Sequence, residues 1–297
     1  MIKVILKLPV DYQKEVSDYL APYFLIGEDE STDEILVTDI KYVLNNQVQV
    51  TPRTFVISNL SDAENVLLIH KYKIHHLIGR NPQVYLDEIL DNLRKLTSKQ
   101  FWGFKHYFGD TLQERIISFS DSTNIQEKMT EELRNFQFDG YFSSPNDYLR
   151  LMANELLSNS LYKGPNKRRH EKGLEASDRR SPVFLKGSDL VQATLGANEK
   201  GVALSVQDSF GELTHEILIT NLVRSFEEKT PLDKKDGAGL GLYLTYLHSN
   251  QLIVNLKQGF RTEVICIIDK NKRFLNYKSR IRSFHFFEEV VSEKTHA

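Results

Sequence analysis

A carboxylate, an amide and an amine recur four residues apart in the segment NELLSNSLYKG, as Glu155, Asn159 and Lys163. On a helix these positions share one stripe. Such a stripe suits a metal–polyphosphate site: an Asn oxygen can ligate Mg²⁺, a Lys can neutralise phosphate, and a Glu can orient or deprotonate a nucleophile. A solvated helix face could carry the same three residues. In GVALSVQD, alternation puts Asp208 on the side of Val202, Leu204 and Val206. A carboxylate ending an apolar strand face needs a donor. An adenine amine could be that donor, and so could a backbone N–H of the following turn. DGAGLGLYLTYLH sets Gly237, Gly239 and Gly241 at alternate positions before a run of helix formers. Glycines there let the backbone approach a ligand, and the next helix points its positive end to the same place, which suits phosphate. The glycine pattern alone is also met in loops that only pack closely.

The elements that must position these residues fall into two units. IKVILKL, YFLIG, EILVTDI, TFVIS and HHLIG read as strands. DYQKEVSDYLA, SDAENVLLIHKY and PQVYLDEILDNLRKL read as helices, the last opening at Pro82. Strands alternating with helices predict a parallel α/β domain over 1–98, followed by a linker at 99–112 in which FWGFKHYF should form a packing cluster. Over 113–270, ERIISFS, a hairpin turning at Asn198–Gly201, QLIVNLK and TEVICIID read as strands. TNIQEKMTEELRNF, SPNDYLRLMANELLSNSLYKG and THEILITNLVRSFEE read as helices. This predicts an α+β sandwich, helices on one face of a mixed, mostly antiparallel sheet. Residues 163–182 are polar and doubly charged and read as an inserted loop. The tail at 271–297 holds Phe284, His285, Phe286 and Phe287, expected to pack it onto a domain.

Bulk composition narrows the classes. The chain has 297 residues, 38 Lys plus Arg and 40 Asp plus Glu, for a net charge of -2. A near-neutral chain is not committed to nucleic acid or to an anionic membrane. The basic cluster of Lys167, Arg168, Arg169, Arg179 and Arg180 is interleaved with acids and lacks an aromatic platform, which argues against nucleic acid. The single cysteine, Cys266, excludes an internal disulfide and reads as core. The N-terminus reads as a strand and not as a signal peptide, and no run reaches the roughly 18 to 20 apolar residues of a membrane span. The expectation is a cytoplasmic protein.

Taken in order, NELLSNSLYKG, VQDSFGE, DGAGLGL and GFRTEV resemble the N, G1, G2 and G3 boxes of the GHKL ATPase superfamily, which includes sensor histidine kinases, anti-sigma-factor serine kinases and the gyrase B subunit. The resemblance covers about Gln113 to Lys270 and implies the Bergerat fold, with ATP and Mg²⁺ as cofactors. It implies that Asn159 holds Mg²⁺, that Glu155 is the catalytic base, that Lys163 meets phosphate and that Asp208 binds the adenine amine. Gly237, Gly239 and Gly241 would cradle phosphates, Thr262 would support adenine through water, and Thr214 to Lys235 would be a mobile ATP lid. The G1 box departs from Asp-x-Gly-x-Gly: here it reads Asp208-Ser209-Phe210-Gly211-Glu212.

None of His70, His75, His76 and His106 has the acidic–proline context of a phosphoacceptor, so the layout is similar to the serine kinases. The N-terminal unit resembles a degenerate response-regulator receiver: Asp39 ends the third strand, yet no acidic pair follows the first, and Arg80 stands where a Lys is usual. The function implied is Mg·ATP-dependent signalling, with phosphoryl transfer to Ser/Thr of a protein partner; a homodimer is left open. The alternative is a non-catalytic, pseudokinase-like ATP-binding or interaction module.

Overall fold

In the computed structural model, residues 2–27, 34–46, 48–81, 84–100, 102–136, 145–171, 181–227, 240–270 and 279–289 are described, and the side chains of 166–171, 188 and 240 are not. The N-terminal elements are β1 (Lys3–Lys7), α1 (Val10–Leu20), β2 (Leu25–Gly27), β3 (Ile35–Asp39), α2 (Ile40–Asn46), β4 (Thr54–Ser58), α3 (Asp62–Tyr72), β5 (His76–Gly79) and α4 (Tyr85–Ser98). The strands pair in parallel in the order β2-β1-β3-β4-β5, an order typical of doubly wound sheets. Helices must then cover both faces. Tyr12, Val16 and Leu20 of α1 and Ile89 and Leu93 of α4 bury one face, whereas Ile40, Val43, Val66 and Ile69 of α2 and α3 bury the other. Ser61 and Glu64 form a reciprocal capping box that starts α3. The spacing anticipates all of these elements except the short α2. The Pro82 start expected for α4 lies outside the described residues, and the helix begins at Tyr85.

The remaining elements are α5 (Lys105–Phe108), β6 (Gln113–Phe119), α6 (Ile125–Arg134), α7 (Asn146–Glu171), β7 (Val191–Ala197), β8 (Gly201–Asp208), α8 (His215–Glu227), α9 (Leu240–His248), β9 (Gln251–Lys257), β10 (Arg261–Asp269) and β11 (Ser283–Glu288). The strands run β9-β10-β8-β7-β6, each antiparallel to the next. Leu149, Met152, Leu156 and Leu161 of α7, with Leu218 and Leu222 of α8 and Leu242 and Tyr246 of α9, form the core on one face of this sheet. Phe104, Tyr107 and Phe108, in the segment expected as a linker, cover the opposite face. In the hairpin turn, the Asn198 carboxamide oxygen accepts from the N–H groups of Lys200 and Gly201.

The described residues thus form a mixed α/β structure built on one eleven-stranded sheet. The join is made by the segment expected as a tail. β11 pairs antiparallel with β5 and parallel with β9. Phe284 and Phe286 enter the helix-side core, and Phe287 enters the opposite one. With both faces covered, Ser283 and His285, which alternate with Phe284 and Phe286, are buried as well.

One further expectation changes. The loop expected from Lys163 is helical as far as Glu171, through Gly164 and Pro165. Pro removes one helical N–H and strains the turn before it, but the Lys, Arg and Glu that follow are good helix formers. Of the segment expected as a lid from Thr214 to Lys235, the described part carries α8, whose face of Leu218, Ile219, Leu222 and Val223 is buried, and residues 228–235 lie outside the described residues. Among the described residues, no helix is long and apolar enough to cross a membrane.

Candidate functional site

The α7 residues Leu149, Met152, Leu156, Leu157 and Leu161 bury one side of the helix against the sheet. The Glu155–Asn159–Lys163 stripe runs along the border of that apolar face, with Glu155 and Asn159 half-buried and Lys163 exposed. Facing them, β8 and β10 end side by side, because the antiparallel register sets Thr262 directly opposite Asp208. A cleft of ≈ 220 Å³ lies between helix and strand ends, with Asn159, Lys163, Asp208 and Thr262 on its walls. Apolar surface from Leu156, Leu213, Ile217, Leu242 and Val264 fills the rest of the lining. A mostly apolar cavity with a few convergent polar groups is the usual form of a small-ligand site.

Asp208 is only 8% exposed. Burial pushes its carboxyl above the ordinary carboxylate value, opposed by hydrogen bonds from the Phe210 N–H, the Ser160 hydroxyl and the Gly211 N–H. The Phe210 N–H to Asp208 Oδ1 distance is 2.9 Å, so the turn donor that the sequence offered as an alternative is present. The Thr262 hydroxyl beside Asp208 lowers that carboxyl a little further, without the alignment of a hydrogen bond. Thr262 Oγ1 is itself buried with no hydrogen-bond partner. An unpaired buried hydroxyl in a cleft costs about 1–3 kcal/mol, a cost that a ligand or a bridging water would remove.

The departure of Asp208-Ser209-Phe210-Gly211-Glu212 from the glycine pattern expected of it has a local explanation. Phe210 is fully buried, and its ring lies where any side chain on Gly164 of α7 would stand. The small residue that the loop lacks is supplied by the helix. Gly211, at φ 66°, takes the left-handed turn and passes under the β9–β10 connection, where its carbonyl accepts from Gly259 N–H at 3.0 Å.

Of the three loop glycines, Gly237 and Gly239 lie outside the described residues. Gly241 is buried in the first turn of α9, and a Cβ there would overlap the Glu155 carboxylate. The structure therefore brings Glu155 to the start of α9 and places Asn159, Lys163, Asp208 and Thr262 around one cleft. Sequence reasoning missed Ser160, Leu156 and Val264. Period two from Thr262 would have found Val264, and the four-residue step from Leu156 would have found Ser160 on the sheet-facing side of the stripe. Among the described residues, no group of three or more His, Cys, Asp and Glu is placed to hold a metal ion.

In the N-terminal unit, Asp39 is buried and accepts from the Tyr12 hydroxyl at 2.5 Å and the Lys41 N–H at 2.8 Å. The Arg80 guanidinium lies 3.9 Å from the centroid of the Tyr12 ring. This unit meets the other through α3 and α8, and the ring of His75, in the connection from α3 to β5, stacks on that of His215 at 3.8 Å. Neither a scan against protein-family models nor a search of curated proteins finds a match to this chain.

Proposed function

We propose that the chain is a Mg·ATP-binding signalling protein of the cytoplasm, in which residues 113–270 form a GHKL-type, Bergerat-fold domain regulated by a docked, receiver-like N-terminal unit. The convergence of Asn159, Lys163, Asp208 and Thr262 on one cleft carries this reading. The residues fit an adenine nucleotide: apolar walls for the base, a buried acceptor in Asp208, an unpaired hydroxyl in Thr262, and an amide and an amine on the same lining. Asn159 would ligate Mg²⁺ and Lys163 would neutralise phosphate charge, as suits a metal that keeps several waters and relies on few protein ligands. Bound ATP would supply the transferable phosphoryl group. The chain's own part is to position it and to hold Glu155 as the base for a Ser/Thr hydroxyl of a protein partner.

In the N-terminal unit, Tyr12 occupies Asp39, which supports a pseudo-receiver that signals by docking and not by phosphorylation. The Phe210 ring on Gly164 favours a second reading, a non-catalytic ATP-binding module, because it stiffens the near side of the cleft where the family keeps glycine.

Titration of Mg·ATP into wild type and Asn159→Ala tests the binding claim. Wild type should bind, and the variant should lose at least about tenfold, or 1.4 kcal/mol. No binding to wild type refutes the proposal. Phosphoryl transfer or phosphate release by wild type that disappears in Glu155→Ala selects the kinase reading; equal background rates select the module.

A further inference from the structure

A second cavity, of ≈ 460 Å³, opens between α4, α5, the β7–β8 turn and the ends of β9 and β10, and shares no wall residue with the nucleotide cleft. We propose that Lys95, on its wall, is a nucleophilic amine that captures small uncharged aldehydes as a Schiff base, with Asp91 carrying the protons.

Helix geometry gathers this chemistry on one side of the cavity. Glu88, Asp91, Asn92 and Lys95 fall at i, i+3, i+4 and i+7 of α4, which is one helix face, and all four line the cavity. Lys95 is 4% exposed, and its amine makes no ion pair or hydrogen bond among the described residues. That amine lies 3.6 Å from the centroid of the Tyr107 ring, a contact that orients the nitrogen and leaves its lone pair uncommitted. Burial drives the Lys95 pKa down to about 7, against the smaller upward pull of the Asp91 and Glu88 charges. From the other elements, the His285 ring of β11 is kept below its ordinary value by its own burial. Arg280 is engaged with Asp269 at 2.5 Å, and Glu199, Lys200 and Lys270 stand exposed at the rim. Near pH 7 about half of the Lys95 amines are therefore neutral, against fewer than roughly one in a thousand for an exposed lysine. A desolvated lysine on a cavity wall is the form that imine-forming nucleophiles take.

The lining points to an uncharged partner. Five carboxylates stand against four cations around the cavity, so the lining as a whole calls for neither an anion nor a cation. Val84, Phe108 and Ile267 add apolar wall. Asn92, 1% exposed, keeps its amide oxygen without a hydrogen-bond partner, which offers an acceptor for the hydroxyl of a first adduct. The step balances without an oxidant or a reductant. The Lys95 lone pair bonds to the carbonyl carbon while the C=O π pair moves to oxygen. Asp91 takes one nitrogen proton and delivers it to that oxygen, which gives the carbinolamine. The hydroxyl then leaves as water with the second nitrogen proton, again passed through Asp91, and the C=N bond remains. Burial raises the Asp91 carboxyl, which brings it nearer to the range a proton carrier needs at neutral pH.

The test incubates the full chain with benzaldehyde and cyanoborohydride, which reduces an imine to a stable benzylamine, and maps the label by peptide mass spectrometry. At pH 7, Lys95 should be labelled at least about tenfold faster than any other lysine side chain. Its rate should level off through a midpoint near 7, and unfolding in urea should abolish the preference. Asp91→Asn removes a charge that raises the Lys95 pKa, so a purely electrostatic neighbour would leave labelling as fast or faster. As the proton carrier, its loss should slow labelling about tenfold or more, and Asp91→Glu should restore most of the rate. Label spread evenly over the lysines, or a Lys95 rate that keeps climbing with pH as an exposed lysine does, overturns the proposal. Unchanged or faster labelling in Asp91→Asn overturns the part given to Asp91.

Discussion

Replacing Asp208 with Asn separates what this residue does for the fold from what it does for a ligand. Burial raises the carboxyl above its ordinary value of 3.8. The folded protein therefore holds that proton more tightly than the unfolded chain does, and ionised Asp208 costs stability once pH rises through this range. Asn removes that charge and keeps an oxygen for the Phe210 N–H, now 2.9 Å from Oδ1. Its amide nitrogen, however, must face the Ser160 hydroxyl or the Gly211 N–H, two of the groups that hydrogen-bond the carboxylate. The hydroxyl can turn to accept. The N–H cannot, and leaving it unpaired costs about 1–3 kcal/mol. The two effects oppose each other, so the net change in stability should stay within about 1–2 kcal/mol, a few degrees of melting temperature for a chain of this size. Ligand binding has no such compensation. A nitrogen donor facing an adenine amine replaces a charged acceptor, losing about 1.5–3 kcal/mol, or roughly 10- to 150-fold in affinity. Differential scanning fluorimetry and Mg·ATP calorimetry on the same samples read both quantities. A variant that melts ten or more degrees low would make Asp208 a structural residue, and one that binds ATP as wild type does would remove it from the site.

Gly241→Ala should destabilise the protein by about 1 kcal/mol, because its Cβ overlaps the Glu155 carboxylate and the flexible side chain must swing aside. Adding Glu155→Ala should recover most of that loss in urea unfolding, and an additive double mutant would refute the contact. The His75 pKa is lowered to about 4, first by burial and then by His215, which is itself lowered by burial and faces Lys73 and Glu216. For a base held neutral by the fold, the contribution is complete above the unfolded value of 6.5 and is lost as pH falls toward 4. Urea midpoints should therefore drop more between pH 7 and pH 5 in wild type than in His75→Phe; equal drops would show that the stack does not titrate. Phe286→Ala should cost about 3–5 kcal/mol, since β11 joins β5 to β9; a loss below about 1 kcal/mol would show that β11 is dispensable.

Local rules carried much of the architecture because their physics is local. Alternating burial in β8 and the four-residue steps of α1, α4 and α7 can be read from residue types alone, as can the Ser61–Glu64 cap. Of the elements that resisted, two did so for opposite reasons. β11 has no exposed face to mark it as an edge or surface strand, because both of its faces are covered, Ser283 and His285 included. α7 passes through Gly164 and Pro165, two residues that ordinarily end a helix. Gly164 is small because of Phe210, 46 positions later in the chain, and no local window contains that pair.

The same division holds at the cleft. Residue types and periods by themselves determined which groups share a helix stripe, which carboxylate ends an apolar strand and where the backbone is free of side chains. Only the tertiary structure decided that Thr262 stands opposite Asp208, that Glu155 closes on Gly241 and that the last strand joins two units into one sheet. Spacing fixes direction along a helix or strand, where each step is set by backbone geometry. Contact between elements depends on register and packing across the whole core, which is settled by burying the apolar faces of all the elements together.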